Sequence, residues 1–193
     1  MVGQLLCEMI EDIMLRNQEL VSIPIRQRAK FEGWLKFELA KTLRRYYSDT
    51  CVEYNVKTRI GSVSDDGEDE RADTHKLVDI FFDNVLLELK TPNTNYTNPL
   101  CETLTRPITK NIGDIIEDVK KLRGILRQQN LPDSLRGFIA FVMFPIDSDN
   151  FESGKWQEHV KRIRENICEA DEVMKIIKLD NQIPILIYVV EVR

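Results

Sequence analysis

Lys76–Lys90 reads KLVDIFFDNVLLELK, and its apolar residues predict two β-strands joined at Asp83-Asn84. Asp and Asn tolerate the positive φ angles of a two-residue hairpin turn. A turn at this point pairs apolar residues on one face of the hairpin: Phe82 with Val85, Ile80 with Leu87, and Val78 with Leu89. Both strands are too apolar for a hairpin with one wet face, which predicts a central position in a sheet covered on both sides.

The other face of the predicted hairpin carries Asp79 opposite Glu88, with Lys90 two residues further along the second strand. Two opposed carboxylates repel each other unless one is protonated or a cation lies between them. Carboxylate oxygens are the ligands that Mg²⁺ and Mn²⁺ prefer. The alternative is that these side chains are simply the solvated charges of a strand.

The whole chain has 193 residues, 42% hydrophobic and 31% charged, which predicts one globular domain spanning residues 1–193. It has no apolar run long enough for a bilayer, and acidic residues near the N-terminus argue against a signal peptide. We therefore expect a cytoplasmic protein that does not bind membranes. The net charge of −5 argues against a protein that coats DNA without sequence preference, but it is compatible with a local basic groove.

The four cysteines are widely separated and the chain has only two histidines, which argues against a zinc site or a disulfide framework. Neither G-x-G-x-x-G nor G-x-x-x-x-G-K-[ST] occurs, so no organic cofactor is expected. G-x-S-x-G, the motif that holds the nucleophilic serine of many hydrolases, is also absent, so the sequence offers no candidate nucleophile for that kind of hydrolysis. By elimination, the face with Asp79, Glu88 and Lys90 is the candidate site.

Apolar spacing predicts the remaining elements. Helices are expected at about residues 3–18, 26–47, 112–129 and 152–174, with Ile23-Pro24-Ile25 separating the first two. Strands are expected at Cys51–Ile60, Gly137–Phe144 and Pro184–Val192. Polar residues 61–75 and 91–111 are expected to form loops, the second able to close over the candidate site.

This order predicts an α/β fold with an extra N-terminal helix and a mixed central sheet flanked by helices on both faces. The hairpin is antiparallel, while a helical crossover after Lys90 makes the next strand parallel to its neighbour. Lys120 and Lys121, with Lys110 just before the helix, are candidates for contacting phosphate, and simple solvation is the alternative.

An acidic residue in an early helix, an aspartate in one strand and Glu-x-Lys in its hairpin partner together resemble the PD-(D/E)XK nuclease superfamily, which has the restriction-endonuclease-like fold. In this chain the pattern is Asp79, eight intervening residues, then Glu88-Leu89-Lys90, followed by a helix and an apolar strand. The resemblance covers most of residues 32–144 and implies an αβββαβ core. Val78 stands where the family often has proline.

The resemblance implies a Mg²⁺-dependent DNA endonuclease of restriction, repair or defence type, in which Mn²⁺ would substitute for Mg²⁺. Asp79 and Glu88 would hold the metal, Lys90 would orient or help deprotonate the attacking water, and Glu32 would complete the acidic cluster, with Glu38 as its competitor. It leaves open whether the substrate is DNA or RNA and whether the protein acts as a homodimer. Two alternatives remain: a catalytically inactive module with this fold that binds DNA or assembles proteins, and a regulatory protein-binding domain.

Overall fold

The computed structural model describes residues 1–63, 69–96, 98–102, 108–128, 131–146, 155–167, 171–179 and 182–193, with side-chain surroundings omitted at 58–63, 69–74 and 155. These residues form five helices: α1 (Val2–Arg16), α2 (Gln18–Arg26), α3 (Glu32–Leu43), α4 (Thr109–Leu126) and α5 (Lys155–Arg164). They also form six strands: β1 (Cys51–Val63), β2 (Asp69–Phe82), β3 (Val85–Lys90), β4 (Arg136–Met143), β5 (Glu172–Lys178) and β6 (Pro184–Val192).

The six strands form one mixed sheet in the order β1-β2-β3-β4-β6-β5. Neighbouring strands are antiparallel except for β3 and β4, which run parallel with Lys90 opposite Phe141. The parallel pair follows from α4, which carries the chain across one face of the sheet between the two strands. The α/β class and the mixed sheet are therefore as the sequence predicts.

The central hairpin turns at Asp83 and Asn84, whose φ angles of 42° and 57° are both positive. The predicted pairs Phe82 with Val85 and Ile80 with Leu87 are present. The ladder between β2 and β3 stops there, so Asp79 and Glu88 are not a ladder pair. The Asp79 carboxylate, in place of a backbone carbonyl of β2, accepts the Leu89 N–H at 2.9 Å. The strands separate because a side chain takes the next hydrogen-bonding position.

The prediction that Val78 shares a face with Ile80 and Phe82 is wrong. Val78 packs in the core on the α4 side of the sheet, whereas Ile80 and Phe82 pack in the core on the α3 side. The ladder of β1 and β2 skips Glu53 and Asp79, and Glu53 has a φ of 53°. The backbone of β2 therefore rotates at Asp79, so that Val78 faces the α4 side of the sheet and Ile80 faces the α3 side.

The sheet is covered on both faces by helices. Helices α1, α2 and α3 pack on one face, with Leu6, Ile10, Leu35 and Leu39 fully buried against Leu87 and Leu89. Helices α4 and α5 pack on the other face, with Ile115, Val119, Leu122 and Trp156 against Ile139, Phe141 and Tyr188. Strands buried on both sides explain the nearly continuous apolar runs of β4 and β6.

Two predicted boundaries near the N-terminus are wrong. Pro24 does not break a helix but lies inside α2, and the expected helix 26–47 is reduced to α3. Proline in a helix removes one hydrogen bond, and α2 tolerates that loss because its buried residues Val21 and Ile25 hold it on the core. The separation between the first two helices comes at Asn17 instead.

The polar segment 61–75 is not a loop throughout. Residues 61–63 and 69–75 extend β1 and β2 into a longer ladder, in which Val63 pairs with Asp69, while residues 64–68, including Asp65, Asp66 and Glu68, lie outside the described part. A ladder needs backbone pairing and not apolar side chains, which is why composition misled the prediction.

The predicted helix 152–174 extends too far, since α5 ends at Arg164 and Glu172–Lys178 forms β5. Its start at Glu152 lies outside the described residues. Strand β5 pairs antiparallel with β6, Ile177 opposite Ile185. The β-branched residues Val173, Ile176 and Ile177 before Asp180-Asn181 were the signal for this strand.

Arg28, between α2 and α3, anchors the segment that follows Lys90. Its side chain is only 5% exposed, and its φ angle is 53°. Its guanidinium donates to the carbonyl of Thr94 at 2.6 Å, to that of Tyr96 at 2.6 Å, and to that of Glu102. In return, the Asn93 side chain donates to the Arg28 carbonyl. The described residues of this segment are thus anchored in place.

Within the part of the chain that the structure covers, the helices are too short or too polar to cross a bilayer. Cys7, Cys51 and Cys101 are free thiols, buried, exposed and half-buried respectively, and Cys168 lies outside the described residues.

Candidate active site

Three elements bring charged side chains together at the end of β3. Strand β3 ends at Lys90, α3 begins at Glu32, and α4 passes alongside with Asp118 and Lys121. Glu32 is at the first position of α3, where free backbone N–H groups favour a carboxylate. The parallel pairing of β3 with β4 places this end of β3 within the sheet, so both helices can reach it.

Lys90 lies between two carboxylates. Its Nζ is 3.0 Å from Asp118 Oδ2 and 3.4 Å from Glu32 Oε1. Burial by itself lowers the pKa of Lys90, but Asp118, Glu32 and Asp79 outweigh burial and hold the pKa above its ordinary value. Lys90 is therefore a fixed positive charge at neutral pH.

Both oxygens of Asp79 have partners. Oδ2 accepts the Leu89 N–H, while Oδ1 is 3.3 Å from Lys36 Nζ, which also contacts Glu53 Oε1 at 3.2 Å. Burial lowers the pKa of Lys36, but Asp79 and Glu53 outweigh it and the pKa is raised. These contacts fix the Asp79 carboxylate beside the end of β3.

Glu88 is 2% exposed and forms an ion pair with Lys121. Burial raises the pKa of Glu88 to about 8, against the opposing effect of Lys121, and Asp79 and Asp118 raise it further. For Glu32, burial likewise raises the pKa, Lys90 opposes it, and Asp79 adds to it. Asp79 thus lies within electrostatic reach of both Glu32 and Glu88, and Asp118 lies within reach of Glu88.

An open cleft of about 480 Å³ lies over Lys90, between the start of α3 and one side of α4. It is lined by Lys30, Glu32, Gly33, Lys90, Asp114, Glu117 and Asp118. Lys30 Nζ lies 3.9 Å from Asp114 Oδ2 across the cleft. Acidic side chains outnumber basic ones around it, so the cleft by itself repels phosphate.

The chemistry of these side chains fits a hard divalent cation, although their positions do not converge on one. Among the described residues, no three His, Cys, Asp or Glu side chains form a group that could hold a metal ion. Glu88 Oε1 and Asp118 Oδ2, however, are buried oxygens that receive no hydrogen bond of acceptable geometry, although each faces a lysine. Such oxygens are donors suited to Mg²⁺.

The structure brings Glu32, Asp79, Glu88 and Lys90 together at the end of β3, and Lys121 joins them through Glu88. Glu38 pairs with Lys41, whereas Glu32 pairs with Lys90, which favours Glu32 as the early-helix acid. Lys110 is exposed and Lys120 pairs with Glu117, whereas Lys121 is drawn into the site by Glu88.

Sequence reasoning missed Asp118 and Lys36 as site residues. Each flanks the buried stripe of its helix, Asp118 beside Ile115 and Leu122, and Lys36 beside Leu35 and Leu39. A charged residue at the margin of a buried stripe faces the sheet it packs on. That position was the available signal.

Comparison of the chain with models of protein families, with characterised proteins and with solved structures found no match. The class of protein must therefore be argued from the fold and the site themselves.

Proposed function

We propose that this protein is a Mg²⁺-dependent DNA endonuclease of the PD-(D/E)XK type. The observation that carries the proposal is the position of Lys90, held between Glu32 and Asp118 under an open cleft and beside Asp79 and Glu88. Carboxylates supply the oxygen ligands that a divalent ion takes, and a fixed ammonium beside them can stabilise the negative charge of a phosphate, so this arrangement suits metal-assisted phosphodiester hydrolysis.

The order of elements supports the same proposal. Helix α3 is followed by three antiparallel strands, then by α4, then by β4 parallel to β3. This is the αβββαβ order expected from the resemblance. The aspartate, the glutamate and the lysine lie on the strands where the resemblance implies them, β2 for Asp79 and β3 for Glu88 and Lys90.

In this proposal Asp79 and Glu88 would hold the metal ion, and Glu32 would complete the acidic set. When bound, Mg²⁺ would polarise a phosphoryl oxygen and lower the pKa of a bound water. Lys90 orients the attacking water and stabilises negative charge on the phosphate, because its raised pKa makes it a poor proton acceptor at neutral pH. Asp118 holds the Lys90 ammonium at 3.0 Å and so acts as a positioning residue.

The charge of the cleft gives the metal a second purpose. Acidic side chains predominate around it, and phosphate would enter against their repulsion. A divalent cation reverses that repulsion locally, so we expect DNA cleavage to require added Mg²⁺ or Mn²⁺ and to stop in EDTA.

The test is cleavage of supercoiled plasmid and of linear DNA by purified protein with Mg²⁺ or Mn²⁺. We expect Asp79→Asn and Lys90→Gln to lose at least about a hundredfold in rate. Glu32→Gln should also lose activity, whereas Glu19→Gln, at an exposed acid on α2 outside the cleft, serves as the matched control. Circular dichroism and thermal unfolding verify that each variant is folded.

Equal cleavage by wild type, Asp79→Asn and Lys90→Gln would show contamination and overturn the proposal. Folded wild type that binds DNA but neither cuts it nor binds Mg²⁺ in calorimetry would identify an inactive module instead. Failure to bind any DNA at low salt, where phosphate contacts are strongest, would favour a protein-binding domain.

A further inference from the structure

A second depression, of about 440 Å³, lies along the C-terminal half of α3 beside the start of β1. We call it the α3 groove, and it is lined by Phe37, Ala40, Lys41, Arg44, Arg45, Thr50 and Val52. Ala40 and Thr50 are buried and form its floor, whereas Phe37 is 60% exposed at its rim. None of these residues belongs to the candidate active site.

The α3 groove and the cleft share one side of α3. Gly33 lines the cleft, while Phe37, Ala40 and Arg44 line the α3 groove. Their spacing of four, three and four residues places them in one stripe along the helix. Eleven residues of helix cover about 16 Å, the length of about five stacked nucleotides of one strand.

Within the described part of the chain, the surface of α3 at Gly33 is open. A Cβ atom built on Gly33 meets no atom within 4 Å. Glu53, which follows Val52 of the α3 groove, forms an ion pair with Lys36. A chain leaving the cleft can therefore follow α3 without meeting a described atom at Gly33.

The groove combines cations with an exposed aromatic ring. Lys41 is paired with Glu38, but Arg44 and Arg45 have no acidic partner among the side chains that the structure describes. This local positive charge belongs to a protein whose net charge is −5. Arginines neutralise phosphates, and exposed aromatic rings stack on unpaired bases but cannot reach bases within a duplex.

We propose that the α3 groove binds an unpaired DNA strand that leads away from the cleft, with a base stacked on Phe37 and phosphates neutralised by Arg44 and Arg45. This inference rests on the proposed function, since it supplies that site with a substrate: DNA carrying a single-stranded segment of about five nucleotides next to the scissile phosphate. A blunt duplex lacks the unpaired base that Phe37 requires.

The test measures binding in EDTA, where cleavage plays no part. Wild type should bind fluorescein-labelled (dT)12 more tightly than a 12-base-pair blunt duplex in fluorescence anisotropy. Phe37→Ser should weaken (dT)12 binding about tenfold, because one stacked base is lost. Leu20→Ser, which removes an apolar side chain that is 53% exposed on α2, is the matched control and should bind as wild type does.

The arginines are tested by salt dependence. The double variant Arg44→Gln/Arg45→Gln should reduce the slope of log K against log salt for (dT)12 by about 1.4, since each phosphate contact on a single strand contributes about 0.7. Lys161→Gln/Arg162→Gln, which removes two adjacent exposed cations from α5 on the other face of the sheet, should leave the slope unchanged.

Each result separates this inference from the proposed function. The proposal for the α3 groove is overturned if Phe37→Ser binds (dT)12 as tightly as wild type does, or if wild type binds duplex and (dT)12 equally. Either result overturns it even if the protein cleaves DNA. A loss in the arginine variant without a loss in Phe37→Ser also overturns it, since that describes a surface for any polyanion. Tight binding of (dT)12 that depends on Phe37 supports the groove even if no cleavage is found.

Discussion

The ionisable side chain of Glu88 is buried in the interior of the protein, and Lys121 is the cation that contacts it. Removing a carboxylate from water disfavours its charge, which is why burial raises the pKa of Glu88 to about 8. A group whose pKa is higher in the folded state than in the unfolded chain makes stability depend on pH.

We expect the free energy of unfolding of the metal-free protein to fall between about pH 5 and pH 8. In the unfolded chain the Glu88 carboxyl titrates near 4.5, so in this window the folded state binds more protons and loses stability as the pH rises. Glu88→Gln, which cannot ionise, should reduce this fall by a few kcal/mol. Urea unfolding in EDTA at a series of pH values measures it, and parallel curves for the two proteins would contradict it.

At the same scale, strand alternation predicted that Glu88 and Lys90 lie on one face of β3, and the hairpin turn predicted that Asp79 lies on the neighbouring strand. The predicted ladder pairing of Asp79 with Glu88 is absent, because the ladder of β2 and β3 stops at Ile80 and Leu87. The sequence also could not predict that Asp79 accepts the Leu89 N–H or that Lys121 and Asp118 join the site. Those contacts depend on where the strands part and on how α4 rotates on the sheet, which are tertiary properties.

The central hairpin is the element that residue chemistry specified most fully. Asp83 and Asn84 adopt the positive φ angles that the turn needs, and the Asn84 carbonyl accepts the N–H of Arg136, the first residue of β4, at 2.9 Å. The turn therefore fixes both the register of β2 with β3 and the start of the parallel strand beside them.

Substitutions at Asn84 test this role. Asn84→Gly should keep or slightly raise the free energy of unfolding, because glycine adopts a φ of 57° without steric cost. Asn84→Val should lower it by about 1–2 kcal/mol, since a β-branched side chain is strained at positive φ. Thermal and urea unfolding compare the two variants, and equal stability would show that the turn does not fix the register.

Other elements were less predictable for identifiable reasons. Strand β5 is an edge strand whose side chains alternate poorly between buried and exposed. Its first residues were therefore predicted as the end of the charged helix before it. The continuation of β1 and β2 beyond the core is held by backbone pairing with few apolar side chains. Periodicity detects burial, and β5 buries few of its side chains.

The whole molecule places its candidate site between its two helical layers, with α3 from one face of the sheet and α4 from the other reaching the end of β3. A ligand held by Asp79 and Glu88 is bound by β2 and β3, which both cores cover. Binding there should stabilise the entire fold and not one element.

We therefore expect Mg²⁺ to raise the melting temperature of the wild type. A ligand present at a hundred times its Kd adds about 2.7 kcal/mol, and each kcal/mol shifts the melting temperature of a chain of this size by about 2–4 °C. Asp79→Asn and Glu88→Gln should lose most of the shift, whereas Glu38→Gln should retain it. An equal shift in all four proteins would locate the bound ion elsewhere.

The fork of Arg28 on three carbonyls bears on the expectation that the segment after Lys90 closes over the candidate site. Both the guanidinium and the backbone carbonyl of Arg28 hold described residues of that segment, which tethers them beside the junction of α2 and α3. The cleft is lined by residues of β3, of α4 and of the start of α3, not by the described residues of this segment. Under the proposed function, an extended polymer would therefore reach the cleft without displacing the tethered residues.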